Sequence, residues 1–423
     1  MGDTVWLRGL CDLALTWSRD PANCPTSPAT QAYIQLIFAY GLARAGDNGA
    51  SNQLLDAARQ VLADGDAVRH SLLKAYGYRI KMAQEGHQSA GPLPAEVVRF
   101  VEKDRANEYL VDRLRQHSRI LEPERQIDPY RGWSAKPGSL EKDLSDLSDL
   151  TDCNEIVERT NRLLHTHASK GNKGLDAQVS ILSTALNLAL RFSEGFALDR
   201  LTQLLPAYDK LPEVKDATVL EQQARLLEKG LFVAGHFGSK DHMRALIARF
   251  AQLLQSQRGN AADIQILDSL VEQSVHGLRK LGMREELDTF LRQTANAILD
   301  GRDLTSIKVK RDRRGTVMLQ ALLPVAGGWL YLGREQEAEP ILNAVRDLLF
   351  KNELYPREQT PLARAYALAV GQAPPEAART RLEELFQRLP GIQDTFTTAT
   401  HYSLAQLEVV EGVILGLVDA DSR

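Results

Sequence analysis

Two histidines and an aspartate fall within seven residues of the sequence, and side chains of these types can bind a transition metal or transfer protons. His236, Asp241 and His242 lie in the segment AGHFGSKDH, where a turn would bring them together. An ordinary structural explanation also exists, because Asp241 can begin the following helix and histidines are common on exposed turns. We favour the structural explanation and keep a metal or acid–base site in 236–242 as the alternative.

A second pair of histidines, His165 and His167, has Cys153 and Glu158 nearby in the sequence. Residues two apart on a helix point about 200° away from each other, so the two imidazoles cannot share one ion on a regular helix. Histidines in the last turn of a helix complement its dipole. We therefore expect this pair to end a helix, and we expect no catalytic residues, metal or cofactor.

The most charged stretch is a run of five cations around one acid. It consists of Lys308, Lys310, Arg311, Arg313 and Arg314, with Asp312 among them. Guanidinium groups bind carboxylate or phosphate through paired hydrogen bonds, so we predict a partner-binding segment, with a phosphate ligand or a merely solvated loop as alternatives. No aromatic residue lies between 302 and 316, which argues against binding of single-stranded nucleic acid.

Two aromatic residues, Tyr130 and Trp133, lie among the prolines Pro123, Pro129 and Pro137. No helix tolerates prolines at this density, so we predict a loop over about 122–139. Exposed Tyr and Trp are typical interface anchors, and we predict that this pair contributes to partner binding. Packing of the two rings against the N-terminal helices is the other interpretation.

Composition and charge restrict the class of protein. The 423 residues carry 51 Lys+Arg and 55 Asp+Glu, a balance that excludes a basic nucleic-acid coat and an acidic disordered tail. Hydrophobic residues make up 43% and aromatic residues 6%, which favours helices packed on helices. Three cysteines form no disulfide framework, and no apolar run approaches the roughly 20 residues of a membrane helix. We expect an all-α protein of the cytosol with no membrane segment.

Apolar residues recur at intervals of three and four in several segments of the chain, which predicts amphipathic helices. In the N-terminal region these segments are Trp6–Thr16, Tyr33–Ala45, Leu54–Leu62, Val68–Met82 and Val97–Leu121. Helices resume at about residue 154 and continue to about 418.

Between these regions, residues 143–152 repeat a triplet with leucine at every third position, which predicts a short 3₁₀-like or irregular helix with a solvated acidic side. We therefore predict an N-terminal helical region over 1–121, a proline-rich and acidic linker over 122–152, and a helical-repeat region over 153–423.

Glycines between apolar helical segments reveal an internal repeat. They are Gly195, Gly238, Gly282, Gly333 and Gly371, at intervals of 43, 44, 51 and 38 residues. In the three middle copies, apolar residues occupy positions −7, −4 and −1 before the glycine and mostly +5, +8 and +9 after it, each set on one helical face. Gly46 fits the same positions, with Leu54, Leu55 and Ala58 at +8, +9 and +12. Gly195 and Gly371 fit less well.

The best copy, WLYLGREQEA at 329–338, resembles the tetratricopeptide hairpin. Trp329 matches the aromatic residue of that family's first helix, Gly333 its turn and Ala338 its small residue. The spacing exceeds the family's 34 residues, and Met243 and Leu287 replace the small residue in other copies, so a HEAT-like repeat remains open. The C-terminal segment from Thr400 resembles helical modules of large bacterial proteins that accompany AAA+ protease systems.

The resemblance implies a right-handed α-solenoid of stacked antiparallel helical hairpins with a concave surface for a protein or peptide. We therefore expect a non-enzymatic scaffold or adaptor, and a module of a larger multi-component bacterial system is one form that it could take. The alternative is a regulator or enzyme that uses a metal or phosphate ligand at 236–242 or 308–314.

Overall fold

The computed structural model is all-α, and the part of the chain that it describes contains no strand. Helices pack on helices throughout that part, as the low aromatic content and the three-and-four periodicity predict. The structure describes residues 28–44, 46–62, 67–85, 139–148, 150, 152–167, 172–189, 194–209, 217–258, 260–264, 266–304, 307, 313–350 and 356–388.

The chain divides into two compact units, 1–117 together with 304–423, and 118–303. We call them the outer unit and the middle unit, after their places in the sequence. The predicted division at 121 and 152 remains a prediction. Predicted helices Trp6–Thr16 and Val97–Leu121, residues 122–138 of the predicted loop over 122–139, and the segment from Thr400 lie outside the described residues.

The middle unit has paired helices in its described part. The helices are α4 (Leu140–Ser148), α5 (Cys153–Thr166), α6 (Asn172–Ala189), α7 (Glu194–Asp209), α8 (Ala217–His236), α9 (Lys240–Ser256), α10 (Leu267–Lys280) and α11 (Arg284–Leu299), with a 3₁₀ turn at Ala261–Asp263. The first helices of successive pairs pack on one another, α6 on α8 and α8 on α10, and the second helices do the same, α7 on α9 and α9 on α11.

The outer unit is described in two segments. The first holds α1 (Pro28–Arg44), α2 (Asn48–Leu62) and α3 (Ala67–Glu85), and the second holds α12 (Arg313–Tyr331), α13 (Glu335–Phe350), α14 (Pro356–Val370) and α15 (Pro375–Arg388). Helix α1 packs on α2 and α3, and α12 packs on α13 and α14. Predicted helices Tyr33–Ala45, Leu54–Leu62 and Val68–Met82 correspond to α1, α2 and α3.

Four of the glycines found in the sequence end a helix in the same way. Gly46, Gly238, Gly282 and Gly333 have φ of 84°, 76°, 66° and 76°, the left-handed region that only glycine enters without strain. In each turn the N–H one residue after the glycine bonds the carbonyl at −4, at 2.8–3.0 Å, which is the Schellman arrangement. Gly195, by contrast, lies inside α7, which explains why it fits the repeat poorly.

Most of the apolar positions counted from these glycines are core positions of the helix pairs. Positions −7 and −4 are buried in the three middle copies, whereas position −1 is half-buried. Position +12 is completely buried in four copies, where it is occupied by Ala58, Phe250, Thr294 and Val345. The spacing in the sequence therefore identifies the face that each helix buries.

Glycine also sets the distance between α8 and α10. A Cβ at Gly277 would lie 2.2 Å from Cε of Met243, and a Cβ at Gly235 would lie 3.3 Å from Cα of Gly277. The two backbones therefore meet at glycines, and the Met243 side chain fills the space that a larger residue at 277 would need.

The acidic triplet segment corrects a prediction. Residues 140–148 form a regular α-helix, not the expected short 3₁₀-like or irregular helix. Leu140, Leu144 and Leu147 follow the spacing of four and three that one α-helical face requires, and Leu144 and Leu147 are buried with Ile156 of α5. Burial of this apolar face explains why the α-helix forms.

Candidate functional site

Most of the predicted partner-binding residues lie outside the described residues. These are Lys308, Lys310, Arg311, Tyr130 and Trp133. Arg313 and Arg314 are the first two residues of α12, and their side chains also lie outside the described part. Binding at the basic run and at the aromatic pair therefore stays a prediction.

The histidine turn is described, and it fixes His242 between two helices. Nδ1 of His242 lies 2.8 Å from Oγ of Ser239, and Nε2 lies 3.0 Å from Oγ1 of Thr202 on α7. The Thr202 hydroxyl already donates its proton to the carbonyl of Leu198 at 2.9 Å, so it can only accept from the imidazole. In the neutral ring this geometry selects the tautomer with the proton on Nε2, in which Nδ1 accepts from Ser239.

The other two members of the predicted cluster have separate neighbours. The His236 ring stacks on Phe232 and meets Phe237 edge to face, with centroids 6.2 and 4.7 Å apart. Asp241 is exposed and pairs with Arg244, which also bonds Glu286 of α11. Among the described residues, no three His, Cys, Asp or Glu side chains are grouped so that they could hold a metal ion.

The second histidine pair ends α5. His165 is in the last turn and His167 is the C-cap residue. Nε2 of His167 lies 2.9 Å from Oδ2 of Asp143, whose Oδ1 accepts from Arg159 at 3.0 Å. An acid from the triplet segment thus ties α4 to α5, a contact that the sequence did not suggest.

Polar side chains also link residues about one glycine interval apart, from one helix pair to the next. Separations along the chain run from 40 to 46 residues, close to the glycine spacing. The pairs are Asp176–Gln222, Thr202–His242, Asp209–Arg249, Glu228–Ser269, Arg244–Glu286, Arg258–Asp300 and Glu339–Arg381. Links at this separation along the chain are those expected when successive helix pairs stack.

The link between Glu228 and Ser269 lies beside a second carboxyl group, that of Asp268. The hydroxyl of Ser269 on α10 donates to Oε1 of Glu228 on α8 at 2.5 Å. Burial raises the pKa of the adjacent Asp268, and the charge of Glu228 raises it further, against backbone N–H groups that lower it. Only the spacing of about forty residues relates Glu228 to Ser269 in the sequence, and no other sequence feature indicates this pair.

A cleft of about 320 Å³ lies between α9 and α11 in the middle unit. It is lined by Ala251, Gln252, Leu254, Gln255, Phe290, Gln293, Thr294 and Ala297. Thr294 is completely buried, and its hydroxyl has no hydrogen-bond partner. Sequence analysis missed this cleft, although its signal is visible: uncharged stretches at 250–257 and 293–299 occupy the ends of two charged helices.

These features define an all-α protein with helix pairs, several of them joined by glycine turns. The chain belongs to the family described as a domain of unknown function, DUF8586, whose match covers residues 29–423. No curated protein and no solved structure matches it. None of the described helices is both long and apolar enough to cross a bilayer.

Proposed function

We propose that the chain is a non-enzymatic scaffold or adaptor that binds another protein or a peptide segment. In this proposal the helix pairs stack as a right-handed α-solenoid of antiparallel hairpins, similar to tetratricopeptide repeats, and the protein acts in the cytosol. The basic run at 308–314 and the aromatic pair Tyr130 and Trp133 contribute to partner binding.

The observation that supports this proposal is the shared period of turns, core positions and links between pairs. Left-handed glycines recur at Gly238, Gly282 and Gly333, and polar links join residues 40 to 46 apart. A helix pair of about forty residues cannot bury its apolar face alone, so stacking of neighbours supplies the core and extends the surface. An extended surface of this kind suits recognition of a protein segment.

The histidine turn supports the same proposal, because its side chains are already used within the protein. Both ring nitrogens of His242 are hydrogen-bonded to Ser239 and Thr202. Asp241 pairs with Arg244. These contacts join α7, α9 and α11, so they explain the residues of the turn as part of the stacking.

The experiment is affinity purification of the full chain from its native host, with mass spectrometry, at low and moderate salt. We expect one protein to co-purify in a fixed ratio. The triple variant Arg311→Glu, Arg313→Glu, Arg314→Glu should lose this protein at moderate salt. The substitutions reverse the charges that bind the partner, and salt screens the ionic contacts that remain. The matched control reverses three exposed arginines that sit in helical i,i+4 pairs, Arg225→Glu, Arg292→Glu and Arg379→Glu, and should keep the partner.

Two results would contradict the proposal. The first is recovery of nucleic acid or a small molecule with no protein in a fixed ratio. The second is loss of a histidine-dependent activity in the Ser239→Ala variant, which removes a hydrogen bond to His242 at a half-buried position. If both charge-reversed variants lost the partner equally, the basic run would not be part of the interface.

A further inference from the structure

The buried residues that the structure describes include one charged side chain, that of Arg200 on α7. Arg200 is only 9% exposed, and arginine is rarely buried without a partner of opposite charge. Among the described residues, however, its side chain forms no ion pair and no hydrogen bond. We propose that Arg200 binds a carboxylate group supplied by a peptide segment of a partner protein. This inference rests on the proposed function and specifies one group that the partner carries.

The guanidinium group of Arg200 is held in place by stacking. Its Cζ lies 5.3 Å from the centroid of the Phe196 ring, one turn earlier on α7. Phe196 packs against the buried cluster of α4, α5 and α6, which includes Ile156 and Leu163 of α5. Arg200 therefore lies on the side of α7 that meets the preceding helix pair. Because the stacking already restricts the side chain, less entropy is lost when an anion binds.

One end of the guanidinium group is open and the other is closed. Nε of Arg200 is completely enclosed and has no hydrogen-bond partner. The two Nη atoms also have no partner among the described residues, but they are not enclosed in this way. Two N–H groups of one guanidinium bind both oxygens of a carboxylate at once. A carboxylate that arrives from solvent can therefore reach the open end of Arg200.

Arg249 of α9 shows what Arg200 lacks. Its Cζ lies 5.9 Å from the centroid of the Tyr208 ring, so it stacks on an aromatic residue as Arg200 does. Nε and Nη2 of Arg249 donate to the two carboxylate oxygens of Asp209 at 3.0 and 2.8 Å. A stacked arginine in this protein thus binds a carboxylate where the chain provides one.

The carboxylate is missing only at the first junction between second helices. Arginine–carboxylate pairs connect α7 with α9, α9 with α11 or the residue that caps it, and α13 with α15. The pairs are Asp209–Arg249, Arg244–Glu286, Arg258–Asp300 and Glu339–Arg381. Arg249 takes its carboxylate from forty residues earlier, whereas the residue forty before Arg200 is Thr160 of α5. The described residues of α5 and α7 therefore include the cation of such a pair and not its anion.

A carboxylate suits this position better than a phosphate. Burial lowers the pKa of Arg200, and the charge of the adjacent Asp199 raises it. Asp199 is exposed and forms no ion pair with Arg200. A phosphate carries nearly two negative charges at pH 7, which would face one guanidinium group and the negative charge of Asp199. A carboxylate carries a single charge and matches a single guanidinium group.

The test uses pairs of small probes that differ only in charge, titrated against the full chain and followed by ligand-observed NMR. N-acetyl-glutamate amide is compared with N-acetyl-glutamine amide, and N-acetyl-leucine with N-acetyl-leucine amide. We expect saturable binding of an acid and none of its neutral partner. Tighter binding of the glutamate probe would identify a side chain as the source of the carboxylate, and tighter binding of N-acetyl-leucine a chain terminus. No saturable binding, equal binding of the neutral probes, or tighter binding of inorganic phosphate would overturn the inference.

Substitutions at Arg200 assign the binding to this side chain. Arg200→Gln removes the charge and the paired donors, and should weaken binding of the acid at least about tenfold. Arg200→Lys keeps the charge without the planar pair of donors, and should restore only part of the affinity. The matched control is Arg162→Gln, which removes an exposed cation of α5 and should leave the affinity unchanged. Unchanged affinity in Arg200→Gln would refute the inference.

A measurement on the unsubstituted chain covers the case in which Arg200→Gln does not fold. Phenylglyoxal modifies guanidinium groups, and peptide mass spectrometry measures the rate at Arg200. The glutamate probe should slow this modification and the glutamine probe should not. Equal rates with the two probes would count against Arg200 as the binding residue.

The outcome is independent of the co-purification experiment. A co-purified protein together with no binding of the acids would retain the scaffold and overturn Arg200 as a contact for its partner. Binding of the acids by a chain that recovers no protein would contradict the scaffold and, with it, the peptide as the source of the carboxylate.

Discussion

Successive helix pairs meet differently in the two units. In the middle unit, α8 and α10 meet at Gly235 and Gly277, and Met243 at position +5 fills the adjacent space. In the outer unit, α12 approaches α14 at Gly327, where an added Cβ would lie 3.1 Å from Cα of Ala369, and position +5 is Ala338. At the α8–α10 junction, glycine on the facing helix makes room for the large Met243 at +5.

Carboxyl groups near the links between successive helix pairs differ as well. Burial raises the pKa of Asp268 in the middle unit, whereas a hydrogen bond from Arg381 lowers the pKa of Glu339 in the outer unit. The same functional group therefore opposes folding in one unit and supports it in the other. Each of the following predictions tests one side of this comparison.

The largest effect is expected for Gly277→Val. Its side chain would overlap Met243 in a closed part of the core, and we expect the free energy of unfolding of the middle unit to fall by about 3 kcal/mol. Urea unfolding measures the change. Gly195→Val is the matched control, because a Cβ there meets nothing within 4 Å. If overlap is the cause, Met243→Ala should lower the free energy of unfolding less in the Gly277→Val variant than in the unsubstituted protein.

Gly327→Ala should destabilise the outer unit by about 1 kcal/mol, because the new methyl group meets backbone that cannot turn away. The control is Gly77→Ala, within α3, where an added Cβ has nothing within 4 Å. That variant should gain up to about 1 kcal/mol from helix propensity. Thermal unfolding compares the two, and a gain in both would show that α12 and α14 are not in close contact.

Asp268→Asn should stabilise the middle unit by about 1 kcal/mol at pH 7. Since folding raises the pKa of Asp268, its contribution is fully present below the unfolded value near 3.9 and is lost as the pH rises through the folded value. The gain from asparagine should therefore be absent near pH 4. A gain of equal size at both pH values would refute the role of ionisation.

Glu339→Gln should have the smallest effect, a loss of about 0.5 kcal/mol at pH 7, because the Glu339 side chain is 45% exposed and solvent weakens the pair. Folding lowers the pKa of Glu339, so its contribution is present above about 4.3 and is lost as the pH falls through the folded value. The loss should shrink in acid and at high salt. This pH dependence is opposite to that expected at Asp268.

Period and turn chemistry in the sequence predict much of the described fold. Apolar spacing predicted α1, α2 and α3. The positions +5, +8 and +9 counted from Gly238, Gly282 and Gly333 are buried in the following helices, except for the half-buried Ile247. These predictions succeed because they depend on neighbours within a few turns of one helix. Leu140 lies before the triplets, and its omission from the pattern hid the α-helical face of α4.

The contacts of the candidate site join residues that are far apart along the chain. A single sequence does not show which distant residues are in contact. Gly277 and Met243 compensate each other in volume, but neither is informative alone. The orientation of His242 depends on Thr202, forty residues earlier. Thr294 was recognisable only as a polar residue at position +12, after the structure had shown that this position is buried in the other copies.

The tight fit of Met243 against Gly277 has a consequence for oxidation. The thioether is completely buried, so a peroxide reaches the sulfur only after α8, α9 and α10 separate locally. The rate at which Met243 becomes the sulfoxide therefore measures how often this junction opens in the native protein. The polar sulfoxide would then no longer fit beside the glycine, so a transient opening would be converted into lasting damage.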